Sequence, residues 1–143
     1  MTPALTTSLS DSKNSINAFL ESYFDEKITE AKNIDRHITT MASLLKTQSL
    51  AGGKRIRGFL CLLAYQLAGG TKSAINVAAG IELVHQYLLT LDDMADRDVV
   101  RHGIPTLEVA YQKTLTSIPQ DQRAHYARSL TEIASALLSS YMY

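Results

Sequence analysis

Four aspartates, Asp92, Asp93, Asp96 and Asp98, stand within seven residues of one another in Leu91-Asp92-Asp93-Met94-Ala95-Asp96-Arg97-Asp98. Aspartate is a mediocre helix former and repels its own kind when crowded. Such a cluster calls for a counter-charge, and a divalent cation supplies one. Asp92 and Asp96 are four residues apart, so on a helix their carboxylates leave one face a turn apart, with Asp93 beside them. Hard oxygen donors suit Mg²⁺, which takes one or two carboxylates and fills its shell with water and phosphate oxygens. The chemistry implied is metal-bridged binding of a diphosphate. Taken alone, the cluster reads better as a solvated acidic helix end, but two further groups of residues reverse that balance.

The first is Gly52-Gly53-Lys54-Arg55-Ile56-Arg57. The glycines let the backbone approach a ligand closely. Lys54 and Arg57, three apart, are expected to share a helix face beside the positive end of that helix, where a polyanion binds well. The second is His85, seven residues before Asp92 and so nearly on the same helix face two turns earlier. Arg101 follows Asp96 by five residues and offers a planar fork for phosphate. Carboxylates for Mg²⁺ and a separate set of cations would hold two anionic substrates side by side.

The elements that must position these groups are helical. Met1 to about Ser10 is rich in Ser and Thr and reads as a flexible tail. From residue 11 onward, Ile16, Phe19, Leu20, Tyr23 and Phe24 recur at helical spacing, and Ile28, Ile34, Ile38, Met41 and Leu44-Leu45 continue the stripe. One long helix or two in sequence would fit. Gly58 to Leu67 is nearly all apolar and predicts a buried helix that ends at Gly69-Gly70. A helix starting near Thr71 or Ser73 then carries Ile75 through Leu91 and delivers the aspartates. Gly103 and Pro105 break the pattern. A short helix around Val109 and a longer one from Pro119, through Tyr126, Leu130, Ile133 and Leu137, complete the chain. No β-hairpin signal or internal repeat is evident, so residues 11–143 read as one all-α unit.

Composition narrows the function classes. The chain has 143 residues, 45% of them apolar, and equal numbers of acidic and basic side chains. This balance gives no electrostatic case for nucleic-acid binding. The single cysteine, Cys61, lies in an apolar run and reads as a core thiol. The N-terminus lacks the basic and apolar regions of a signal peptide, and no apolar run reaches the length of a transmembrane segment. The location expected is cytoplasmic.

Four motifs, in order, carry a resemblance: Gly52-Gly53-Lys54-Arg55-Ile56-Arg57, Glu82-Leu83-Val84-His85-Gln86-Tyr87, Asp92-Asp93-Met94-Ala95-Asp96, and Arg101-His102-Gly103-Ile104-Pro105-Thr106. The chain resembles the N-terminal half of a trans-polyprenyl diphosphate synthase, the farnesyl and geranylgeranyl diphosphate synthase group. The resemblance implies an all-α isoprenoid-synthase bundle around a central cavity, a homodimer, and condensation of isopentenyl diphosphate with an allylic diphosphate. It implies that Asp92, Asp93 and Asp96 bind the allylic diphosphate through Mg²⁺ and that Arg101 contacts the same group. It places Lys54, Arg57 and His85 at the isopentenyl diphosphate site. The sequence departs from the pattern at His102, where the family has a second arginine, at Gly58, where it often has Pro, and at Leu91, where it often has His. The resemblance also implies a second aspartate-rich motif, but no second Asp-Asp pair occurs here. The chain is therefore expected to be a truncated or partial synthase, inactive alone.

Bulk just before the first aspartate limits product length in this family, which here means Leu88 and Tyr87. On a helical wheel Leu88 lies about 40° from Asp92 and Tyr87 about 140° away. Geometry points to Leu88, whereas the family pattern stresses the aromatic Tyr87, whose replacement by Ala is expected to lengthen the product. A Tyr here leans toward short-chain products of C15 to C20 size. Two other functions stay open: a non-catalytic partner subunit of a prenyl synthase, and a class I terpene cyclase. The Gly-Gly-Lys-Arg motif and His85 argue against the cyclase.

Overall fold

The structure, a computed structural model, describes residues 3–141, with side chains from Ser8 onward. It contains six helices and one small hairpin: α1 (Pro3–Lys32), α2 (Arg36–Leu50), α3 (Ile56–Leu67), α4 (Ile75–Asp96), β1 (Val100–Arg101), β2 (Ile104–Pro105), α5 (Leu107–Thr114) and α6 (Gln120–Ser140).

The long N-terminal stripe resolves into two helices. The Asp35 carboxylate accepts a hydrogen bond from the His37 N–H and caps α2, so the chain turns back at residues 33–35. Lys46 of α2 reaches across to Asp25 of α1 at 2.6 Å, fixing the pair as an antiparallel hairpin. Helix α1 also takes in residues 3–10, which composition assigns to a tail. The correction has a simple cause: Ser and Thr cost only a few tenths of a kcal/mol per residue in a helix. That is too little to stop a helix already packed on its neighbours. Met1 and Thr2 lie outside the described residues.

Ile16, Leu20 and Phe24 of α1 are fully buried against Leu45 of α2, Leu83 of α4 and Leu138 of α6. Each such side chain contributes about 1.5–3 kcal/mol on burial. Helix α4 is the central strut, packing on α1, α3 and α6. Its small Ala78 and Ala79, both buried, let neighbouring helices approach closely.

Helix α3 is not the buried helix that its composition predicts. Only Gly58 and Phe59 are buried, while Leu60 is 53% and Leu67 80% exposed. It packs on α1 and α4 alone, so the opposite apolar face has no cover among the described residues. Cys61 does lie against the core, half-buried. The helix closes as Gly69-Gly70 predicts: the Gly69 N–H donates to the Gln66 carbonyl and the Gly70 N–H to that of Tyr65.

The hairpin is a further departure from the all-helical reading. Val100 pairs with Pro105 and Arg101 with Ile104, across a two-residue turn. His102 (φ 52°) and Gly103 (φ 81°) are both left-handed, as the mirror-type turn of a tight hairpin requires. Glycine adopts this freely, and His is among the residues enriched there. Strands of two residues are too short to show an alternating pattern, which is why the sequence hides them.

Candidate functional site

Helix α4 carries the site. It ends at Asp96, so Asp92, Asp93 and Asp96 crowd the negative end of the helix dipole, where carboxylates are unfavourable. Cationic partners offset this. The Nε–H of Arg101 donates to Asp93 Oδ1, and its Nη2 lies 3.1 Å from Asp98 and 3.5 Å from Asp92. The three aspartates do not share one environment. Asp93 is buried, whereas Asp92 and Asp96 are exposed. Burial pushes the Asp93 carboxyl up and is only partly offset by the Arg101 N–H. Arg101 is itself pushed up, chiefly by its bond to Asp93. Among the described residues no three acidic, His or Cys side chains converge into a ready-made metal cage.

The basic residues meet two turns earlier along α4, around His85. Lys54, Arg57, His85 and His102 line one cleft of about 250 Å³, together with Gly52, Gly53, Gln48, Gln86 and Leu89. The helix start differs from expectation. Helix α3 begins at Ile56, so Lys54 lies in the preceding loop and only Arg57 sits in the first turn. The two still line one cleft, with Arg55 in a left-handed conformation (φ 53°) between them. Gly52 packs under the His102 ring: a Cβ at Gly52 would sit 3.1 Å from His102 Cβ and Cγ. The Gln48 side-chain amide donates to the Pro105 carbonyl at 2.8 Å and ties the hairpin to the end of α2. The hairpin thus bridges two zones, with His102 in the basic cleft and Arg101 among the aspartates.

Burial, reinforced by Arg57, holds the His85 imidazolium below its ordinary range, with Glu82 pulling the other way. The charged form of His85 is thus disfavoured in the folded protein. A depressed folded pKa means that the unfolded chain takes the proton first, so stability falls as the pH drops below about 6.5. Urea midpoints measured at pH 7.5 and 5.5 are expected to drop further for the unaltered chain than for His85→Gln. Equal drops would show that His85 is as solvated in the folded state as in the unfolded one.

Sequence reasoning missed a buried clamp beneath the cleft. Arg55 and Glu82 are 6% and 5% exposed and 3.6 Å apart. Arg55 also donates to the Asn17 side chain and the Ser49 carbonyl, joining α1 and α2. The other Glu82 oxygen accepts the Gly58 N–H at 2.8 Å. This explains the departure at residue 58, because proline has no N–H to give. The space is also tight: a Cβ on Gly58 would lie 2.6 Å from Ile16 Cδ1 and 3.1 Å from the Ala78 carbonyl oxygen. The available signal was an acidic residue, Glu82, between Ile81 and Leu83 in an otherwise apolar stretch.

Tyr87 and Leu88 part company. Tyr87 packs against the core, whereas Leu88 is 54% exposed. No helix among the described residues is long and apolar enough to cross a membrane.

A farnesyl diphosphate synthase of Haemophilus influenzae is 32% identical over 115 residues, covering 78% of this chain and 37% of that protein. A geranylfarnesyl diphosphate synthase of Aeropyrum pernix is 47% identical over 64 residues, covering 43% of this chain and 20% of that one. Among solved structures, a geranylgeranyl pyrophosphate synthase of Corynebacterium glutamicum complexed with isoprenyl diphosphate and magnesium matches with a TM-score of 0.82. The match covers 94% of this chain and 40% of that one at 22% identity, and it establishes the fold. The chain spans well under half the length of these relatives. The Polyprenyl synthetase family profile matches residues 38–134, which take in the basic cleft, the aspartates of α4 and the hairpin. The fold and all four motifs therefore lie within one family, and this chain belongs to the polyprenyl synthetases.

Proposed function

We propose that this chain forms the diphosphate-binding part of a prenyltransferase that joins isopentenyl diphosphate to an allylic diphosphate, yielding short-chain products. The observation that carries this reading is the pairing of two charge zones along α4. The basic cleft at His85 lies two turns before the acidic end at Asp92, and the hairpin supplies a residue to each. One zone suits a diphosphate held by cations alone, and the other a diphosphate held through metal.

Lys54 and Arg57 would bind the isopentenyl diphosphate by charge, with His85 donating from one ring nitrogen. His102 stands in the same cleft and orders its wall over Gly52. Asp92 and Asp96 fit Mg²⁺: they are exposed hard-oxygen donors one turn apart, and that ion takes one or two carboxylates beside phosphate oxygens. Mg²⁺ held there supplies charge neutralisation to the departing allylic diphosphate. Arg101 would present its fork to the same group. Leu88 and Leu91, exposed on α4, would guide the hydrocarbon and keep water from it. A second aspartate-rich segment, a homodimeric assembly and a cytoplasmic location belong to the same proposal.

The test is incubation of the protein carrying this chain with labelled isopentenyl diphosphate, an allylic diphosphate and Mg²⁺. The products are then dephosphorylated and sized. Elongation is expected. Consumption of the allylic diphosphate alone, without incorporation of label, would replace this reading with a cyclase. Leu88, exposed on the Asp92 side, is the better placed of the two chain-length candidates. Leu88→Ala is expected to shift products toward longer chains, and Tyr87→Ala mainly to lower stability by opening the core. The opposite pattern in the same sizing assay would assign the role to Tyr87.

A further inference from the structure

We propose that His102 makes diphosphate capture in the basic cleft proton-linked, so that the cleft holds its anion more tightly as the pH falls through the range in which histidine changes charge. The inference rests on the diphosphate-binding reading above and adds a regulation to that same site.

The placement of the ring is the first ground. His102 lines the cleft with Lys54, Arg57 and His85, but it comes from the hairpin rather than from α4. Its backbone is set by the turn, where it is left-handed (φ 52°). Its ring lies over Gly52, so close that an added Cβ there would come within 3.1 Å of Cγ. The hairpin is tied in turn to the end of α2 by the Gln48 bond to the Pro105 carbonyl. The fold thus holds one exposed imidazole at a fixed place in a wall of cations. Lysine and arginine side chains keep their charge across the physiological range, whereas imidazole changes its charge between about pH 5 and 8.

The surrounding charges are the second ground. Lys54 stands in the loop before α3, Arg57 in the first turn of α3, and Arg101 next to His102 on the hairpin. Helix α2 contributes the neutral Gln48. Among the described residues that line the cleft, Glu82 of α4 is the one acid, and the buried Arg55 stands 3.6 Å from it. A proton arriving on an imidazole of the empty cleft therefore meets more positive than negative charge. His85 shows the effect: burial holds its charged form down, Arg57 adds to this against Glu82, and His102 and Arg101 add further. A diphosphate reverses the balance, because an anion in contact with an imidazole favours the charged ring. Linkage is reciprocal, so the protonated cleft binds the anion more tightly. His102 is better placed than His85 to take this proton, because His102 is exposed and His85 is half-buried.

Titration calorimetry with inorganic diphosphate, in the presence of a chelator, tests the link at about pH 6 and pH 8. Without metal, the aspartates have no ion to bridge them to the anion. The anion titrates as well, so each variant is read as its ratio of affinities at the two pH values, relative to the unaltered protein. His102→Arg keeps a cation in the cleft at both pH values. His102→Asn carries none, and Asn takes the left-handed turn readily. Both are expected to show a ratio about tenfold smaller than the unaltered protein, with His102→Arg the tighter binder of the two at pH 8. His85→Gln is expected to keep most of the ratio. Repeating the titration near pH 7 in buffers of differing ionisation enthalpy counts the proton directly, and the unaltered protein should take up more than His102→Arg. A ratio in both His102 variants equal to that of the unaltered protein would overturn the proposal. So would a ratio lost in His85→Gln, which would move the proton to His85. Absence of metal-free diphosphate binding by the unaltered protein at both pH values would instead overturn the functional reading of the cleft.

Discussion

Asp92→Ala is expected to reduce isopentenyl diphosphate incorporation by about 10³-fold at saturating Mg²⁺ while leaving the fold intact. The kinetic part follows from what ionisation of an allylic diphosphate demands. Negative charge builds on the leaving group, and stabilising that charge in a water-poor site is the largest single contribution available to the protein. In the proposed reading Asp92 and Asp96 are the exposed hard donors that would hold the ion neutralising this charge, and one remaining carboxylate would not replace two. The stability part follows from the position. Asp92 lies at the negative end of α4 beside two other carboxylates, so its removal relieves repulsion worth about 0.3–1 kcal/mol. It also deletes a 3.5 Å contact to Arg101 on an exposed side chain, a pair worth about 0–1 kcal/mol. The two nearly cancel. Thermal melting of the variant beside the label-incorporation assay checks both halves at once. A large drop in melting temperature would mean that the carboxylate serves the fold, and retained incorporation would mean that it serves neither purpose.

Glu82→Leu is expected to destabilise the protein by about 3–5 kcal/mol. For a chain of this size that is a fall in melting temperature of roughly 10–20 °C. Glu82 and Arg55 are both almost fully buried, and burial pulls the Arg55 guanidinium down from its ordinary range against the opposing effect of Glu82. Removing the carboxylate leaves a buried cation uncompensated and the Gly58 N–H without its acceptor. The change should also spread to the site, because Arg55 and Glu82 both line the cleft that Lys54 and Arg57 face. The double variant Arg55→Met/Glu82→Leu is expected to recover more than half of the loss, because a buried ion pair is often replaced by apolar residues at little cost. Urea midpoints of the two variants and the unaltered chain decide the matter. A double variant no more stable than Glu82→Leu would show that charge pairing is not what the clamp contributes.

Much of this protein is legible in its residues. The 3.6-residue periodicity reports the helices, Gly69-Gly70 and Gly103-Pro105 report their breaks, and the four motifs report the family. Each of these signals is local: a side chain either repeats at the helical period or does not, and a turn either has the glycine it needs or does not. What tertiary structure decides is partnership. The sequence singles out Lys54 and Arg57, yet only folding shows that Arg55 between them is buried on Glu82 in the wall of the same cleft, while the other two are exposed there. It offers Asp92, Asp93 and Asp96 as one motif, yet folding turns Asp93 inward to Arg101 and leaves its neighbours facing water. It offers Tyr87 and Leu88 as equal candidates, yet only Leu88 escapes the core. The physical reason is common to all three. The free energy of an ionic or apolar side chain depends on the dielectric and the partner it meets. Partners separated by tens of residues are chosen only when the helices pack.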